Sequence, residues 1–319
     1  MNTLKIMQKA VEDYKNIESK RYLGIFGNPI KHTLSPIIHD TISDELSLEE
    51  RYIPFEIQDD LGRYVKEAFE DGIVGLNITV PYKEKVIPYL SDIDEDAKKI
   101  GAVNTLVRTD KGYKGYNTDM EGLYKSVIEA GMNIKDNEII MLGAGGAARA
   151  VAYMCLKYGA KKIYIINRSP DNAIKLANDM NNILSEKTVY DNNAVKINND
   201  NIKDDKKFIP LSVGEYNDIP PKKYMFIQCT SVGLKADDGL PLISDEHFYS
   251  QASCAVDLIY NPAKTRFIRL MEKNNVPFIN GLKMLLYQGI IANELWNGIT
   301  VNADLSEKIF VALNKKLYC

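Results

Sequence analysis

The feature that most constrains the fold of this chain is a glycine-rich turn between an apolar strand-like run and a helix-like run. The strand-like run is Glu138–Leu142, the turn Gly143–Ala148 reads GAGGAA, and a helical pattern follows from Arg149. In such a turn the first glycine permits the tight bend, the second lets the backbone approach a pyrophosphate, and the small last residue lets the helix pack on the strand. The helix N-terminus would offer free N–H groups to the phosphates. The sequence therefore predicts a Rossmann-like dinucleotide-binding unit, with a turn that only packs small residues as the alternative.

Strand-like and helix-like segments alternate along most of the chain. Helical periodicity is seen, for example, at Ser35–Leu46 and Leu61–Phe69. Apolar strand-like runs lie at Tyr22–Phe26, Tyr52–Ile57, Gly75–Thr79, Ala102–Val107, Lys162–Asn167, Tyr224–Gln228 and Cys254–Ile259. This alternation predicts an α/β fold with mostly parallel sheets flanked by helices.

One internal segment departs from this pattern. Residues 178–218 are rich in Asn, Asp and Lys and are weakly periodic. Such a composition buries little apolar surface, so we expect irregular, mobile surface structure there. Short strands are predicted at most, at Lys187–Tyr190 and Phe208–Leu211.

Composition and charge narrow the classes of function. The net charge of -3 gives no basis for binding nucleic acid or an anionic membrane. No apolar run reaches the roughly 18 residues of a membrane span, and the N-terminus lacks the apolar centre of a signal peptide. The four cysteines are scattered and the three histidines lack metal-ligand spacing. We therefore expect a cytoplasmic protein without a metal ion and without nucleic-acid or membrane partners, either monomeric or homodimeric.

The strand that follows the glycine-rich turn and its helix bears on cofactor choice. It ends in Asn167, Arg168 and Ser169. NAD-binding sites usually carry an acidic residue there, which accepts hydrogen bonds from the ribose 2′-OH. A neutral amide followed by a cation and a hydroxyl suits a 2′-phosphate instead. The sequence therefore favours NADP, although Asp171 nearby would weaken that preference, and a solvated arginine is the alternative interpretation of Arg168.

The first half of the chain carries polar side chains where apolar elements end. They lie in the segments GNPIKHTLSP at 27–36, GLNITVPYKE at 75–84, GAVNT at 101–105 and GYNTD at 115–119. Loops beyond the carboxyl ends of strands are where α/β proteins bind ligands. Asn and Thr also cap elements, Ser35 before Pro36 suits a helix N-cap, and Pro81 suits a helix start. Because such clusters recur, we favour a site for a hydroxylated or carboxylated ligand over capping alone.

With TSVGL at 230–234, DLIYNP at 257–262 and GLKMLLYQG at 281–289, these motifs resemble the shikimate dehydrogenase family, in the family's order. The resemblance extends from about Arg21 to near the C-terminus. It implies an N-terminal α/β substrate domain at residues 1–118, completed by the C-terminal helices at 282–319. The residues between, 119–281, would form a Rossmann-like NADP-binding domain.

The resemblance also implies roles for individual residues. Lys83 and Asp119 match the family's catalytic pair, and a lysine beside a carboxylate can donate the proton that carbonyl reduction requires. The implied substrate-binding residues are Thr33, Ser35, Asn77, Thr79, Asn104, Tyr260 and Gln288. The implied cofactor-binding residues are Gly143, Ala144, Gly145, Gly146, Ala147, Ala148, Arg149, Asn167, Arg168, Ser169, Thr230, Ser231, Gly233 and Asp257.

The activity implied by the resemblance is the reversible, NADPH-dependent reduction of 3-dehydroshikimate to shikimate, on the route to chorismate and the aromatic amino acids. Two alternatives stay open: an NAD-dependent quinate/shikimate dehydrogenase, and a catalytically inactive nucleotide-sensing homologue. Thr33 replaces the family's usual serine, which leaves the choice between shikimate and quinate undecided. Asn172 stands where strongly NADP-selective members often have a second arginine.

Overall fold

A computed structural model describes residues 5–15, 17–58, 60–191, 207–234 and 241–318. Its strands are β1 (Arg21–Gly27), β2 (Glu50–Glu56), β3 (Gly75–Ile78), β4 (Asp92–Ile93), β5 (Thr105–Thr109), β6 (Gly112–Tyr116), β7 (Glu138–Leu142), β8 (Lys162–Asn167), β9 (Phe208–Ser212), β10 (Tyr224–Gln228), β11 (Ala252–Asp257) and β12 (Phe278–Ile279). Its helices are α1 (Ser35–Glu45), α2 (Leu61–Glu70), α3 (Glu95–Ile100), α4 (Thr118–Glu129), α5 (Gly146–Lys157), α6 (Pro170–Asp191), α7 (Arg266–Lys273), α8 (Leu282–Asn297) and α9 (Ala303–Tyr318). None of the described helices is both long enough and apolar enough to cross a membrane.

The chain divides into two compact units. Unit 1 comprises Met1–Gly122 and Leu285–Cys319, and unit 2 is the continuous segment Leu123–Met284. Each unit contains one six-stranded sheet. The predicted α/β fold is therefore confirmed.

The sheet of unit 1 is mixed, with strand order β2-β1-β3-β5-β6-β4. Strand β1 pairs in parallel with β2 and β3, whereas β5 is antiparallel to both β3 and β6. The C-terminal helix α8 packs on this sheet through Trp296, whose indole N–H donates to the Leu106 carbonyl at 2.8 Å. Gly75 makes that approach possible, because a Cβ there would lie 2.2 Å from the indole nitrogen.

The outer edge of strand β2 is protected from pairing with another chain. The backbone N–H of Tyr52 donates to the Asp40 carboxylate at 3.1 Å, and Pro54 has no N–H to offer. The Pro54 carbonyl accepts from the N–H of Val11 at 2.9 Å. Ile6 and Met7, which lie just before this contact in the N-terminal segment, are buried in the core. Proline, a side-chain acceptor and a covering segment are established ways of blocking an edge strand.

The sheet of unit 2 is entirely parallel, with strand order β12-β11-β10-β7-β8-β9. The central strands β7 and β10 are apolar along almost their whole length, as expected when helices cover both faces of a parallel sheet. This is the Rossmann-like architecture that the glycine-rich turn predicts.

The expectation of irregular structure from residue 178 onward is wrong for its first part. Helix α6 extends to Asp191, so Lys187–Tyr190 is helical instead of a strand. Ala173, Leu176, Ala177 and Met180 are buried, and this helical spacing holds the helix to the core. The predicted strand at Phe208–Leu211 is confirmed as β9, and residues 192–206 lie outside the described part.

Candidate active site

Lys83 and Asp119 form an ion pair in unit 1. Lys83 Nζ lies 2.7 Å from Asp119 Oδ2, with about a third of the lysine side chain and 15% of the aspartate side chain exposed. Asp119 is the second residue of helix α4, and Lys83 lies in the turn after strand β3. The structure therefore brings together two charges that lie 36 residues apart in the sequence.

The segment that carries Lys83 is a series of turns, so the prediction of a helix beginning at Pro81 is wrong. The only helical piece is a short 3-10 turn at Ile87–Tyr89. The Lys83 carbonyl accepts a hydrogen bond from the backbone N–H of Val103 at 2.8 Å. The turn is therefore fixed partly by a backbone hydrogen bond to a residue that is distant in sequence. The same bond holds Lys83 beside the GAVNT segment.

A buried cluster of amides and hydroxyls lies in the same unit. Asn104 Oδ1 accepts from the backbone N–H of Thr118 at 2.7 Å and from the hydroxyl of Thr105 at 3.0 Å. Asn104 Nδ2 donates to Thr118 Oγ1 at 3.0 Å. Thr118 immediately precedes Asp119, so these bonds tie the strand β5 region to the start of the helix that carries the aspartate.

Asn77 is more completely engaged with the protein than the sequence suggests. Its Oδ1 accepts from the Tyr52 hydroxyl at 2.7 Å, and its Nδ2 donates to the Asn104 carbonyl at 3.2 Å and to Thr105 Oγ1 at 3.1 Å. Both amide hydrogens are therefore used within the protein. Asn77 stays a predicted substrate residue, and these bonds show that it also holds the site together.

The remaining predicted substrate residues of unit 1 lie on three elements. Ser35 is the first residue of α1, and its backbone N–H and its hydroxyl both lie 3.2 Å from Thr33 Oγ1. Thr79 follows strand β3 and is half-buried, with its N–H donating to the Phe26 carbonyl at 3.0 Å. Gln288 lies on α8, and its Nε2 donates to the Leu285 carbonyl at 2.9 Å.

The glycine-rich turn has the geometry expected of a phosphate site. Gly143 has φ of +109°, and a Cβ there would lie 2.9 Å from Thr230 Cγ2, so only glycine fits. A Cβ on Gly145 or Gly146 would meet nothing within 4 Å, which leaves the backbone open to a ligand. Gly145 caps α5 without a side-chain hydrogen bond. Ala148 is fully buried and makes the predicted packing contact. The turn therefore fits a dinucleotide pyrophosphate.

The end of strand β8 leaves a cation exposed. Asn167 Nδ2 donates to the Ser169 carbonyl at 3.0 Å, which closes the turn, while the Arg168 side chain extends into solvent. Arg149, at the start of α5, is instead tied to Asp179 of α6 at 2.5 Å. Of these two arginines, Arg168 is the one exposed for a 2′-phosphate.

The loop after strand β10 is organised by side-chain hydrogen bonds. The Thr230 hydroxyl donates to Gln228 Oε1 at 2.9 Å and accepts from the Val232 N–H at 3.1 Å. Gly233 has φ of +99°, and a Cβ there would lie 3.0 Å from Thr265 Cβ, so the bend requires glycine. Ser231 is exposed on the same loop.

Asp257 is placed differently from the other predicted cofactor residues, because its side chain is fully buried. Its oxygens accept from the Thr265 hydroxyl at 2.5 Å and from the Ile259 N–H at 3.0 Å. Burial raises the pKa of this carboxyl to about 6, although both hydrogen bonds act in the opposite direction. These bonds show that Asp257 holds the DLIYNP loop in place, and its contact with the cofactor stays a prediction. Tyr260 on that loop is half-buried, and burial raises its pKa.

Two comparisons identify the family. The model of the shikimate dehydrogenase substrate binding domain matches residues 25–106, and that of shikimate / quinate 5-dehydrogenase matches residues 125–202. A protein named shikimate dehydrogenase (NADP(+)) from Desulforamulus reducens is 35% identical over 294 residues, which cover 90% of this chain and 93% of that protein. The chain belongs to the shikimate dehydrogenase family. The resemblance seen in the motifs is thereby confirmed.

Solved structures of shikimate dehydrogenases share the fold. One, in complex with NADP+, has a TM-score of 0.79 at 31% identity and covers 94% of this chain and 96% of its own. Another, from Thermus thermophilus in complex with NADP(H) and shikimate, has a TM-score of 0.75 at 27% identity, with 92% and 99% covered. The match therefore extends over both units.

Three buried residues next to the predicted site were not predicted from the sequence. Tyr52 and Thr105 contact Asn77, and Thr118 contacts Asn104. Thr105 and Thr118 stand beside predicted site residues in the GAVNT and GYNTD motifs, so adjacency could have found them. Tyr52 lies in an apolar strand, and nothing in its sequence context indicates the contact.

Proposed function

We propose that this chain is a shikimate dehydrogenase that reversibly reduces 3-dehydroshikimate to shikimate with NADPH. The observation that carries the proposal is the Lys83–Asp119 ion pair beside the buried amide and hydroxyl cluster, in a chain that matches relatives of this name over most of its length. In this scheme unit 1 binds the substrate and unit 2 binds the cofactor.

The residues of unit 1 supply the proton chemistry. NADPH, when bound, supplies the hydride that reaches the carbonyl carbon. The Lys83 ammonium donates its proton to the carbonyl oxygen, which becomes the hydroxyl of shikimate. Asp119 pairs with that ammonium and orients it, and the pair recovers its proton from solvent after turnover. In the reverse direction Lys83 accepts the hydroxyl proton.

Different residues of unit 1 would recognise different groups of the substrate. Thr33, Ser35 and Thr79 present hydroxyls suited to the substrate carboxylate, while Asn104 and Gln288 present amides suited to its ring hydroxyls. Tyr260 stays a prediction as a further substrate contact. The extra methyl of Thr33, relative to the family's serine, narrows the space for the carboxylate.

The residues of unit 2 would hold the cofactor. The backbone of Gly143–Gly146 and the N-terminus of α5 would receive the pyrophosphate. Arg168 and Ser169 would receive the 2′-phosphate, and this preference for NADP agrees with the relatives, which are named shikimate dehydrogenase (NADP(+)). Location in the cytoplasm and a monomeric or homodimeric state stay predictions from the sequence.

Initial rates with shikimate and with quinate, each against NADP and NAD, test the proposal. We expect the highest kcat/KM with shikimate and NADP. Higher kcat/KM with quinate and NAD would establish the alternative quinate/shikimate dehydrogenase, and no turnover with any pair would establish the inactive homologue. Arg168→Ala should raise the KM for NADP far more than that for NAD. Arg269→Ala, which changes an exposed arginine on α7 of the same unit, is the matched control.

A further inference from the structure

Thr105 is the centre of the buried polar cluster in unit 1, although its side chain is not itself exposed to a ligand. Its hydroxyl donates to Asn104 Oδ1 at 3.0 Å, accepts from Asn77 Nδ2 at 3.1 Å and lies 3.1 Å from Thr118 Oγ1. The residue is fully buried. One hydroxyl therefore joins two side chains at the ends of β3 and β5 to the start of α4.

The bonds around Asn104 determine which way its amide faces. The backbone N–H of Thr118, which can only donate, lies 2.7 Å from Oδ1, so the oxygen must occupy that position. The Thr105 hydroxyl supports the same orientation with a second donated bond. Nδ2 is then placed away from these donors, and one of its two hydrogens is used on Thr118 Oγ1. No second acceptor for Nδ2 is found among the described residues, so its other hydrogen is left for a ligand.

We propose that Thr105 is a positioning residue for substrate recognition, which locks the Asn104 amide so that it offers a hydrogen-bond donor to an oxygen of the bound substrate. This inference rests on the proposed function, because it takes Asn104 as a substrate contact. The ligand group at this point must be an acceptor, such as a ring hydroxyl or carbonyl oxygen. Thr105 acts through Asn104 and Asn77 and does not touch the substrate itself.

The contribution of the Thr105 hydroxyl can be described by the hydrogen bonds that its removal would break. Without the Thr105 hydroxyl, Asn104 Oδ1 loses one donor and Asn77 Nδ2 loses one acceptor inside a buried site. A buried hydrogen bond of this kind stabilises the cluster modestly, and leaving its partner unsatisfied costs more free energy than the bond itself contributes. The Thr118 N–H still holds Oδ1 on its side, but the amide can then shift within the cluster, and part of the binding free energy is used to restore its position. The bound substrate meets Asn104 in ground state and transition state alike, so the effect belongs mainly in KM.

Thr105→Val tests the proposal because valine keeps the shape of threonine and removes only the hydroxyl function. We expect the KM for shikimate to rise on the order of fivefold to thirtyfold, from the loss of one or two buried hydrogen bonds. The KM for NADP should stay within twofold of the wild-type value. Thr105→Ser, which restores the hydroxyl, should return the KM for shikimate to within about threefold of wild type.

Tyr113→Phe is the matched control. Tyr113 is equally buried in unit 1, and its hydroxyl donates to the Ile73 carbonyl at 2.8 Å and not to a residue of this cluster. It should lower the melting temperature without changing the KM for shikimate. If Thr105→Val does not fold, Thr105→Cys takes its place, because a thiol is a weak donor and acceptor, and a raised KM is again expected.

The outcomes separate this inference from the proposed function. If the wild-type protein does not turn over shikimate with NADP, the proposed function fails. If it does, an unchanged KM for shikimate in Thr105→Val overturns the positioning role. Equal increases in the KM for shikimate and for NADP, or the same increase in Tyr113→Phe, would also overturn it, because either pattern is that of a general loss of stability.

Discussion

Lys83 and Asp119 carry the proposed proton transfer, and the pair is only partly exposed, with 32% of the lysine and 15% of the aspartate side chain open to solvent. Removing one partner is therefore expected to lower the melting temperature as well, so the catalytic role is decided by the kcat of the folded protein. Loss of a proton donor typically costs on the order of a hundredfold to ten-thousandfold in rate.

We therefore expect Lys83→Ala to lower kcat in that range with a comparatively small change in the KM for shikimate. Asp119→Asn should also lower kcat, and the double variant should lose less than the product of the two single losses, because the residues act as one unit. Lys114→Ala is the control: Lys114 is 31% exposed and pairs with Asp92 in the same unit. Near-normal kcat together with a lowered melting temperature in Lys83→Ala would make the pair structural.

His39 illustrates how a single buried residue gives the fold a pH dependence. It is fully buried, stacks on Tyr52 with ring centroids 4.2 Å apart, and has Nδ1 3.3 Å from the Asn293 amide nitrogen. Burial lowers the pKa of His39 to about 3. The unfolded chain binds a proton at this residue near pH 6.5, and the folded chain does not until about pH 3. Its contribution to stability is therefore complete above about pH 6.5 and is lost as the pH falls toward 3.

Between pH 7.5 and pH 5 the lowered pKa of His39 reduces the free energy of unfolding by about 2 kcal/mol. We expect His39→Phe, which keeps a stacked ring, to be less stable at pH 7.5 but to lose less stability on going to pH 5. Urea unfolding at the two pH values measures this. His247→Gln, which changes an exposed histidine of unit 2, should leave the wild-type difference unchanged. A His39→Phe variant with the wild-type pH difference would contradict the assignment.

At the scale of the element, two glycines of the glycine-rich turn are needed for different reasons: one for the fold and one for cofactor binding. Gly143 is needed for the fold, because its φ is +109° and a side chain would contact the loop after β10. Gly145 has φ of -86° and open space around it, so alanine fits the protein there. Its methyl group would instead occupy the space of the proposed pyrophosphate site.

We expect Gly145→Ala to melt at the wild-type temperature and to raise the KM for NADP at least tenfold. Gly143→Ala should lower the melting temperature, because alanine at positive φ is strained and crowded. Thermal melts without cofactor and cofactor titrations distinguish the two. A Gly145→Ala variant that binds NADP normally would show that the pyrophosphate does not approach this turn.

At the scale of the whole molecule, the two units differ in how the chain builds them. Unit 2 is one continuous segment, whereas unit 1 needs both ends of the chain. The C-terminal part contributes Trp296, Ile290 and Ile309 to buried positions. Truncation before these residues exposes the apolar surface that they cover.

We expect residues 123–284, expressed alone, to fold cooperatively and to bind NADP. A chain that ends at Met284 should keep the folded NADP-binding unit but lose cooperative folding of unit 1. Circular dichroism melts and NADP titration of both fragments check this. A well-folded, shikimate-binding protein that ends at Met284 would show that α8 and α9 are dispensable for unit 1.

The sequence by itself determined the α/β fold, the family and the position of the dinucleotide turn. These depend on local chemistry: apolar periodicity, glycines where the backbone must bend or come close, and motifs whose residues are adjacent. It did not determine the length of α6 or the turns around Lys83. The helix holds to the core through a few small and apolar residues, and the Lys83 carbonyl is taken by Val103 from a later segment.

Only the tertiary structure decided which polar groups of the candidate site are already hydrogen-bonded within the protein. Asn77 and Asn104 stand in similar positions in the sequence, each where an apolar run meets polar motif residues. In the fold, both amide hydrogens of Asn77 are used on Asn104 and Thr105, while one amide hydrogen of Asn104 has no acceptor within the described part of the chain. Asp257 likewise belongs to a cofactor motif but is buried against Thr265. The partners that satisfy these polar groups are mostly distant in the sequence. Which groups have a partner is therefore decided only when the strands and helices pack together.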